Sequence, residues 1–280
     1  GFALDRRNVA NNKNVGLFSE PMLNFVTDRL AKALKEADAA LQPVKVGAGA
    51  ISLPGMNHNR RKGGTCADDQ MTILRLDKAD GAPYAVFVNF TAHGTFVDEE
   101  DMLVSSEWAG SMQRTVERMM EGVTCLYANG AEGDQAPSGC PGASLAKSRY
   151  EEAMDYGLRV GLAAGKLAGG IRTGDVKQFA VQSKWVVLPP RKPSPDFQKV
   201  AGQEYKISEE ELGMMVQVLF PEKAPIYALR VNDFELATFP GEPICEIGKA
   251  VKDAIRQAGI KYPCVASPTS DHIGYILTTE

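Results

Sequence analysis

The chain has 280 residues, of which 44% are hydrophobic and 24% are charged, a composition typical of a globular protein with one large domain or two small ones. The formal net charge of -4 and the lack of a basic run give no electrostatic reason to expect a nucleic acid partner. No apolar stretch reaches the roughly 20 residues that cross a bilayer, and Gly1-Phe2 does not open a basic-then-apolar signal segment.

The spacing of the cysteines does not match a known disulfide or metal-binding pattern. There are five of them, an odd number, and no two form a CxxC or CxxH pair. The pattern therefore indicates neither a complete set of disulfides nor a zinc knuckle, and it leaves the cellular compartment open. The positions are Cys66, Cys125, Cys140, Cys245 and Cys264.

Helix and strand patterns alternate from the start of the chain. Residues 18–41 have a cap candidate in Ser19 and apolar residues at three-to-four spacing, which predicts an amphipathic helix. Residues 44–52 predict a strand. Residues 71–92 predict two further strands, joined by a turn at Ala79-Asp80-Gly81 into a hairpin.

The middle of the chain continues this alternation. Residues 105–122 predict a capped helix closed by Gly122, and residues 123–129 follow as a short, continuously apolar strand of the kind found in buried sheets. Residues 143–170 are helical by composition and end in a glycine pair. Residues 177–189 predict the next strand.

The last third repeats the same order of elements. Residues 189–213 are rich in proline and charge and predict a surface excursion with a short helix from Ser208. Residues 226–239 predict a hairpin, residues 242–259 an amphipathic helix, and residues 263–267 a strand. The elements together predict an α/β fold with one or more mixed sheets, flanking helices and a single domain.

Three loops at predicted strand ends carry polar side chains, and strand ends in layered folds are where such groups converge on a cleft. The loops are "TAHGT" with His93, "FPGEP" with Glu242, and "SDHIGY" with His272 and Tyr275. One carboxylate, two imidazoles and a phenol are an adequate ligand set for zinc, whose catalytic sites use about three protein ligands and a water.

Each of these residues also has an ordinary structural interpretation. A single histidine after a strand is often hydrogen-bonded within the fold, and His93 fits that description. Glu242 falls where a predicted helix begins, so it can complement the helix dipole. Tyr275 can be a core residue. Composition does not decide between these interpretations and a metal site.

Six motifs occur in an order that resembles the neutral/alkaline ceramidase family. They are "NRR" (59–61), "VNFTAHGT", "SSEWAG", "YANGAEGDQAP", "FPGEP" and "SDHIGYILTTE", and they span nearly the whole chain. The resemblance implies the N-terminal catalytic domain of a zinc amidase, which cleaves the N-acyl bond of ceramide to give a sphingoid base and a fatty acid. It also implies a small lipid-like substrate, peripheral contact with membranes, and a secreted or periplasmic location.

The resemblance assigns metal-binding roles to three residues. His93 matches a zinc-binding imidazole, and Glu242 of "PGE" matches a zinc-binding carboxylate. The family's "N-x-Y-x-x-Y" corresponds to residues 270–275, where His272 replaces the first tyrosine. A histidine is a competent zinc ligand, so the resemblance implies that His272 serves in its place.

Three further residues are expected to take catalytic roles, Arg60 and Tyr275 by the same resemblance and Asp134 by its position. Arg60 matches an arginine near the substrate carbonyl and, with Tyr275, is expected to stabilise a developing oxyanion. The alternative for Arg60 is a solvated basic turn. Asp134 follows a strand end and is expected to lie in the same cleft and orient a ligand or a loop amide. The alternative for Asp134 is an ordinary turn residue.

The chain also departs from the family pattern. Ala136 stands where the family's "GDVSP" has a serine. The family's first zinc histidine lies in an "H-T-H" motif upstream of the part matching residues 18–41, and a C-terminal sandwich domain follows its "TTxEEY" segment. We therefore expect either a fragment of a longer protein or a shortened member, incomplete at both ends, that hydrolyses ceramide poorly. A non-catalytic member that binds a lipid or glycan in the same cleft, and a structural module, are the alternatives.

Overall fold

The computed structural model describes residues 19–98, 100–101, 104–139, 146–191 and 221–278, and scattered positions between 196 and 213. In chain order its elements are α1 (Glu20–Ala39), β1 (Val44–Ser52), β2 (Asn57–Asn59), β3 (Gln70–Lys78), β4 (Pro83–Phe90), α2 (Glu107–Met119), β5 (Thr124–Asn129), β6 (Gln135–Pro137), α3 (Arg149–Gly170), β7 (Phe179–Val187), β8 (Lys223–Val231), β9 (Phe234–Thr238), β10 (Glu242–Pro243), α4 (Cys245–Gln257), β11 (Tyr262–Ala266) and β12 (Tyr275–Ile276).

The chain divides into two compact units. The larger comprises the described residues of Pro43–Trp185 and Pro225–Glu280, and the smaller those of Gly1–Gln42 and Val186–Ala224. The smaller unit contains α1, which begins where the Ser19 hydroxyl accepts a hydrogen bond from Met22 N at 3.3 Å. The single domain expected for the whole chain stays a prediction.

The first sheet is mixed and has the strand order β1-β3-β4-β5. Antiparallel pairing joins β1 to β3 and β3 to β4, and the turn between β3 and β4 closes as predicted, with Lys78 N donating to Ala82 O at 2.8 Å. β4 and β5 run parallel, because the chain crosses over through α2 between them.

One face of this sheet forms the main hydrophobic core. Alternate residues of β3 and β4 point to the same side, as the two-residue period of a strand requires, and pack against α2 and α3. The two helices approach closely at Gly157, where an added Cβ would lie 2.2 Å from Trp108 O. The buried residues include Met71, Ile73, Val86, Val88, Phe90, Trp108, Met112, Val116, Tyr156 and Val160.

The other face of the first sheet contacts a second sheet of order β11-β9-β8-β7. In the second sheet β8 and β9 form the predicted hairpin, and β9 pairs parallel with β11 after the crossover through α4. Phe87 packs edge-on against Phe234 with ring centroids 6.1 Å apart. Asn89 Nδ2 donates to Val265 O at 2.8 Å, so polar contacts also join the two sheets.

Two very short strand pairs link segments that are distant in sequence. β2 pairs antiparallel with β6, which places Asn59 opposite Gln135. β10 pairs parallel with β12, which places Glu242 opposite Tyr275. Strands of two or three residues have no measurable periodicity, which is why the sequence did not predict them.

The mixed α/β fold with flanking helices is confirmed, and the element limits differ in two informative places. The helix predicted over 143–170 begins at Arg149, because the Ser148 hydroxyl caps Glu151 N at 3.2 Å. The helix predicted to start at Glu242 starts at Cys245 instead. The helix predicted from Ser208 and the first residues of 143–170 lie largely outside the described residues.

Among the residues that the structure describes, no helix combines the length and apolar character needed to cross a bilayer.

Candidate functional site

His93 lies at the end of β4, where the backbone is held from several sides. His93 N donates to Gln135 O at 3.0 Å, and Trp108 Nε1 donates to His93 O at 3.0 Å. The preceding residue, Ala92, makes two hydrogen bonds with the Asn129 side chain. Ala92 N donates to Asn129 Oδ1 at 3.1 Å, and Asn129 Nδ2 donates to Ala92 O at 2.9 Å. The apolar strand therefore ends by presenting a firmly placed imidazole.

Glu242 is positioned by the short pairing of β10 with β12. Its N donates to Gly274 O at 2.9 Å, and Ile244 N donates to Ile276 O at 3.1 Å. An added Cβ on Gly241 would lie 2.4 Å from Gly274 O, so this approach requires glycine. The backbone of Glu242 thus belongs to a strand pair, and the alternative that it complements the dipole from a first helical turn is wrong.

Glu242 lies between the two predicted histidine ligands. Its Oε2 is 3.4 Å from His93 Nε2, and its Oε1 is 3.2 Å from His272 Nε2. His93 and Glu242 are mostly buried, whereas the side chain of His272 is 63% exposed. The three predicted metal ligands are therefore neighbours, with the carboxylate bridging the two rings.

Two atoms of this cluster are unusual. Within the described part of the chain, His93 Nε2 and Glu242 Oε2 are buried and have no hydrogen-bond partner. Burial, followed by the positive charge of Arg60, lowers the pKa of His93, so the ring is neutral near pH 7 and has a lone pair on one nitrogen. An orphaned imidazole nitrogen and an orphaned carboxylate oxygen fit a divalent cation between them.

His93 and Glu242 provide two ligands for such a cation, and two ligands are not a complete ligand set. No group of three or more His, Cys, Asp or Glu residues in the described ranges has the arrangement of an ion site. The reason is that His272 faces the second oxygen of Glu242 and not the space between His93 and Oε2. The metal roles of these three residues stay predictions.

Arg60 and Tyr275 meet beside the cluster. Arg60 Nη2 donates to Tyr275 Oη and to Gly133 O, both at 3.0 Å, and its guanidinium lies 5.9 Å from the centroid of the Tyr275 ring. Arg60 itself is exposed, so it combines the solvated position expected of a basic turn with these two hydrogen bonds. Tyr275 is 50% exposed, so the alternative of a core tyrosine is wrong.

Asp134 is buried and holds several segments of the site together. Its Oδ2 accepts from Asn59 Nδ2 at 2.7 Å, and its Oδ1 accepts from Cys245 N at 2.9 Å and from Gln135 Nε2 at 3.0 Å. Asp134 O also accepts from Arg60 N at 2.8 Å. A carboxylate with three donors is not an ordinary turn residue; it fixes the backbone on both sides of the cluster.

Glu132 is a residue that the sequence analysis missed. It is 2% exposed, and burial raises its pKa to about 8. The Ser267 hydroxyl is hydrogen-bonded to both the Glu132 carboxyl and Gly130 O. Since one hydroxyl has a single hydrogen and a carbonyl only accepts, both bonds form when Glu132 carries a proton.

Two more residues of the surroundings were given no role in the sequence analysis. Gln135 is fully buried, and its Oε1 accepts from Asp68 N at 3.3 Å while its O holds His93 N. Glu107 accepts from Val97 N at 2.8 Å and so fixes the loop after His93. The motifs "GDQAP" and "SSEWAG" contain these two residues and were the sequence features that could have indicated them. Polar residues next to the start of a strand or helix are common on protein surfaces, so the sequence alone does not mark these two as buried.

Ala136 occupies the middle of β6, opposite His58 of β2. The family serine expected here is therefore replaced by a methyl group on a strand that leads directly from Asp134. His58 itself lies apart from the cluster, with its Nδ1 3.3 Å from Ser138 Oγ.

The arrangement defines a mixed α/β fold with a buried His–Glu pair where β4 and β10 end. No family model and no curated protein sequence matches this chain. Two solved structures share its fold: a neutral ceramidase from Pseudomonas aeruginosa, with a TM-score of 0.76, and a ceramidase complexed with C2, with a TM-score of 0.74. Identity is 19% in both cases, and the match covers 93% of this chain but 51% and 52% of those chains. The chain has the fold of about half the length of these ceramidases, so the resemblance is confirmed at the level of the fold.

Proposed function

We propose that this chain carries the metal site of an amidohydrolase that cleaves the N-acyl bond of ceramide-like lipids. The supporting observation is the pair formed by His93 Nε2 and Glu242 Oε2, 3.4 Å apart and without hydrogen-bond partners among the described residues. Leaving two such atoms buried and unpaired costs free energy. A zinc ion would satisfy both, and nitrogen and oxygen are ligands that zinc prefers.

The chain's own residues would hold that ion in a defined way. His93 would offer a neutral imidazole nitrogen, and Glu242 would offer a carboxylate oxygen from a strand end that cannot shift without breaking its pairing with β12. His272, whose exposed ring contacts Glu242 Oε1, would be the third ligand. A bound zinc ion would supply Lewis-acid activation of the amide carbonyl and of a water molecule.

Arg60 and Tyr275 are suited to the negative oxygen that develops during amide cleavage. Because the phenolic oxygen accepts from Arg60, the hydroxyl hydrogen of Tyr275 remains available to donate to a second acceptor. A guanidinium is a positively charged, forked donor, so it favours a negative oxygen nearby. Asp134 positions this pair through the backbone of Arg60 and the start of α4.

The substrate class, the cofactor and the location follow the same proposal. An N-acylated sphingoid base is the lipid on which ceramidases act, and a secreted role in sphingolipid metabolism with peripheral membrane contact fits that substrate. Nucleic acid is not an expected partner, given the net charge of -4.

A second candidate function is a weakly active or inactive member that binds a lipid or glycan in the same cleft. Two observations favour it. Ala136 provides a methyl group where the ceramidase pattern has a serine hydroxyl, and His272 is hydrogen-bonded to Glu242 in place of a tyrosine. Each change removes a hydroxyl that could contact a reacting amide.

One experiment separates the two candidates. The purified chain is dialysed against zinc, its metal content is measured by elemental analysis, and release of fatty acid from a short-chain N-acyl-sphingosine is followed. Bound zinc with fatty acid release supports the amidase, and bound zinc without release supports the binding protein. Neither zinc nor release from a folded chain would overturn the assignment of His93 and Glu242.

A further inference from the structure

Cys66 and Cys245 meet in the fold although they are far apart in the sequence. Cys66 lies in the loop before β3, and Cys245 is the first residue of α4. The described cysteines are free thiols, and the thiols of Cys66 and Cys245 influence each other's pKa, as neighbouring groups do. The two side chains therefore lie in the same part of the fold.

The backbones of the two cysteines are also fixed relative to each other, independently of the thiols. Gln135 Nε2 donates both to Cys66 O and to Asp134 Oδ1, at 3.0 Å each. Asp134 Oδ1 in turn accepts from Cys245 N at 2.9 Å. A chain of three hydrogen bonds through buried side chains thus holds the two cysteines side by side.

A second contact joins the same two segments. Lys249 Nζ, one turn further along α4, donates to Ala67 O at 3.4 Å. The loop that contains Cys66 is therefore attached to α4 at two successive positions. A covalent bond between the cysteines would add to hydrogen bonds that already join the two segments.

The accessibility of the pair suits stepwise oxidation. Cys66 is partly exposed, so a small oxidant can reach its sulfur, whereas Cys245 is fully buried. Cys125 in β5 and Cys264 in β11 are buried in the sheets. Of the described cysteines, Cys66 is therefore the one with which a reagent in solution makes first contact.

We propose that Cys66 and Cys245 are a disulfide-forming pair, and that the bond ties the segment bearing Arg60 to the strand end bearing Glu242. The oxidant is a small disulfide such as oxidised glutathione. The Cys66 thiolate attacks it, forming a mixed disulfide and releasing one small thiol. The Cys245 thiolate then attacks the Cys66 sulfur and expels the second small thiol, so two protein thiols are oxidised and one disulfide is reduced.

The rate of this exchange depends on thiolate formation. Burial is the main cause that raises the pKa of both thiols, so little thiolate is present at neutral pH. We expect the bond to form slowly in the folded protein near pH 7, faster at alkaline pH, and readily when the chain refolds in a glutathione buffer.

The test is to oxidise the purified chain with oxidised glutathione, both when folded at alkaline pH and during refolding, and then to block free thiols with N-ethylmaleimide. Mass spectrometry of the intact chain and of a non-reduced digest follows. Compared with the reduced and blocked chain, we expect a chain that carries two fewer N-ethylmaleimide adducts and two fewer thiol hydrogen atoms, with one crosslinked peptide that joins Cys66 and Cys245. The oxidised chain should unfold several degrees above the reduced chain, because a crosslink across a long loop restricts the unfolded state.

Matched variants decide the outcome. Cys66→Ser and Cys245→Ser should each abolish both the crosslinked peptide and the shift in melting temperature, whereas Cys264→Ser should retain both. Circular dichroism of each variant establishes that it is folded. Recovery of both cysteines as N-ethylmaleimide adducts under both conditions, or a crosslink from Cys66 to Cys140, would overturn the proposal. The result is independent of metal content and amidase activity.

Discussion

The guanidinium of Arg60 donates a hydrogen bond to the phenolic oxygen of Tyr275, 3.0 Å away, across 215 positions of sequence. Because β12 pairs with β10, this contact lies on the strand next to Glu242. A cationic donor and a hydroxyl donor are thereby placed together beside a buried carboxylate, in a geometry that can be tested by mutation.

If the chain is an amidase, Arg60→Gln and Tyr275→Phe should each lower kcat by about 10²- to 10³-fold, the cost of losing one donor to an oxyanion. The double variant should lose less than the product of the two factors, because the residues act through one hydrogen bond. Release of fatty acid from a short-chain N-acyl-sphingosine measures kcat for the single variants and for the double variant. Arg61→Gln, which alters an exposed neighbour, should leave kcat unchanged; an equal loss there would show a general charge effect.

Removing a proposed metal ligand should weaken zinc binding specifically. His93→Ala should lower zinc affinity by more than about 100-fold, because the loss of an outer-shell partner alone costs roughly 10- to 100-fold. His272→Ala should have a smaller effect, since its ring must first rotate away from Glu242. Titration calorimetry measures both. His58→Ala is the matched control, because His58 contacts Ser138 away from the cluster.

Asp134→Asn should destabilise the fold and the site together. The new amide has one acceptor oxygen and a donor group, so its NH2 must face a donor from Asn59, Gln135 or Cys245. We expect a loss of about 1–3 kcal/mol in the free energy of unfolding, measured by denaturant titration, with weaker zinc binding. Asp155→Asn, at an exposed pair with Arg159, should cost at most about 0.5 kcal/mol. Unchanged stability and unchanged zinc affinity would contradict the positioning role of Asp134.

Glu132 predicts a pH dependence of stability. Its pKa is raised from 4.5 to about 8 by burial, so the folded chain holds a proton that the unfolded chain releases. The contribution of this proton to the free energy of unfolding is fully present below pH 4.5. It is lost as the pH rises towards 8, with a slope of at most about 1.4 kcal/mol per pH unit.

The variant Glu132→Gln isolates this effect, because glutamine does not titrate. The difference in unfolding free energy between the unmodified chain and this variant should decrease steadily from pH 5 to pH 8. Denaturant titrations at several pH values measure it, with Glu121→Gln as an exposed control. A difference that increases with pH would mean that Glu132 is ionised in the folded chain.

The regular elements could be predicted because their signals are local. The two hairpins and the helix over 242–259 show clear two-residue or three-to-four-residue periods, and each occurs near its predicted place. The start of that helix was misplaced, because Glu242 and Pro243 pair with β12, and nothing in the local pattern reveals a partner some thirty residues away. The strand pairs β2–β6 and β10–β12 were missed for the same reason.

The residues of the candidate site also differ in whether a local sequence pattern could reveal them. His93, Glu242 and His272 were predicted from motif order, and the structure places each of the two histidines within contact distance of Glu242. Glu132 and Gln135 were not singled out, because their importance comes from burial next to other polar groups, and burial at a loop depends on the packing of distant segments. The motifs therefore brought together residues that prove to be neighbours, but they did not reveal which buried residues hold those neighbours in place.

The hydrogen bonds of Asp134 determine how late in folding the candidate site can form. They join the segment at Asn59, the turn at residues 133–135 and the start of α4, so they close only when the last of these segments has docked. The packing of β3 and β4 on α2 and α3 needs only residues 70–170 and can form earlier during synthesis. The candidate site is therefore a late product of folding, and mutations that slow the docking of α4 should delay its appearance while the core is already in place.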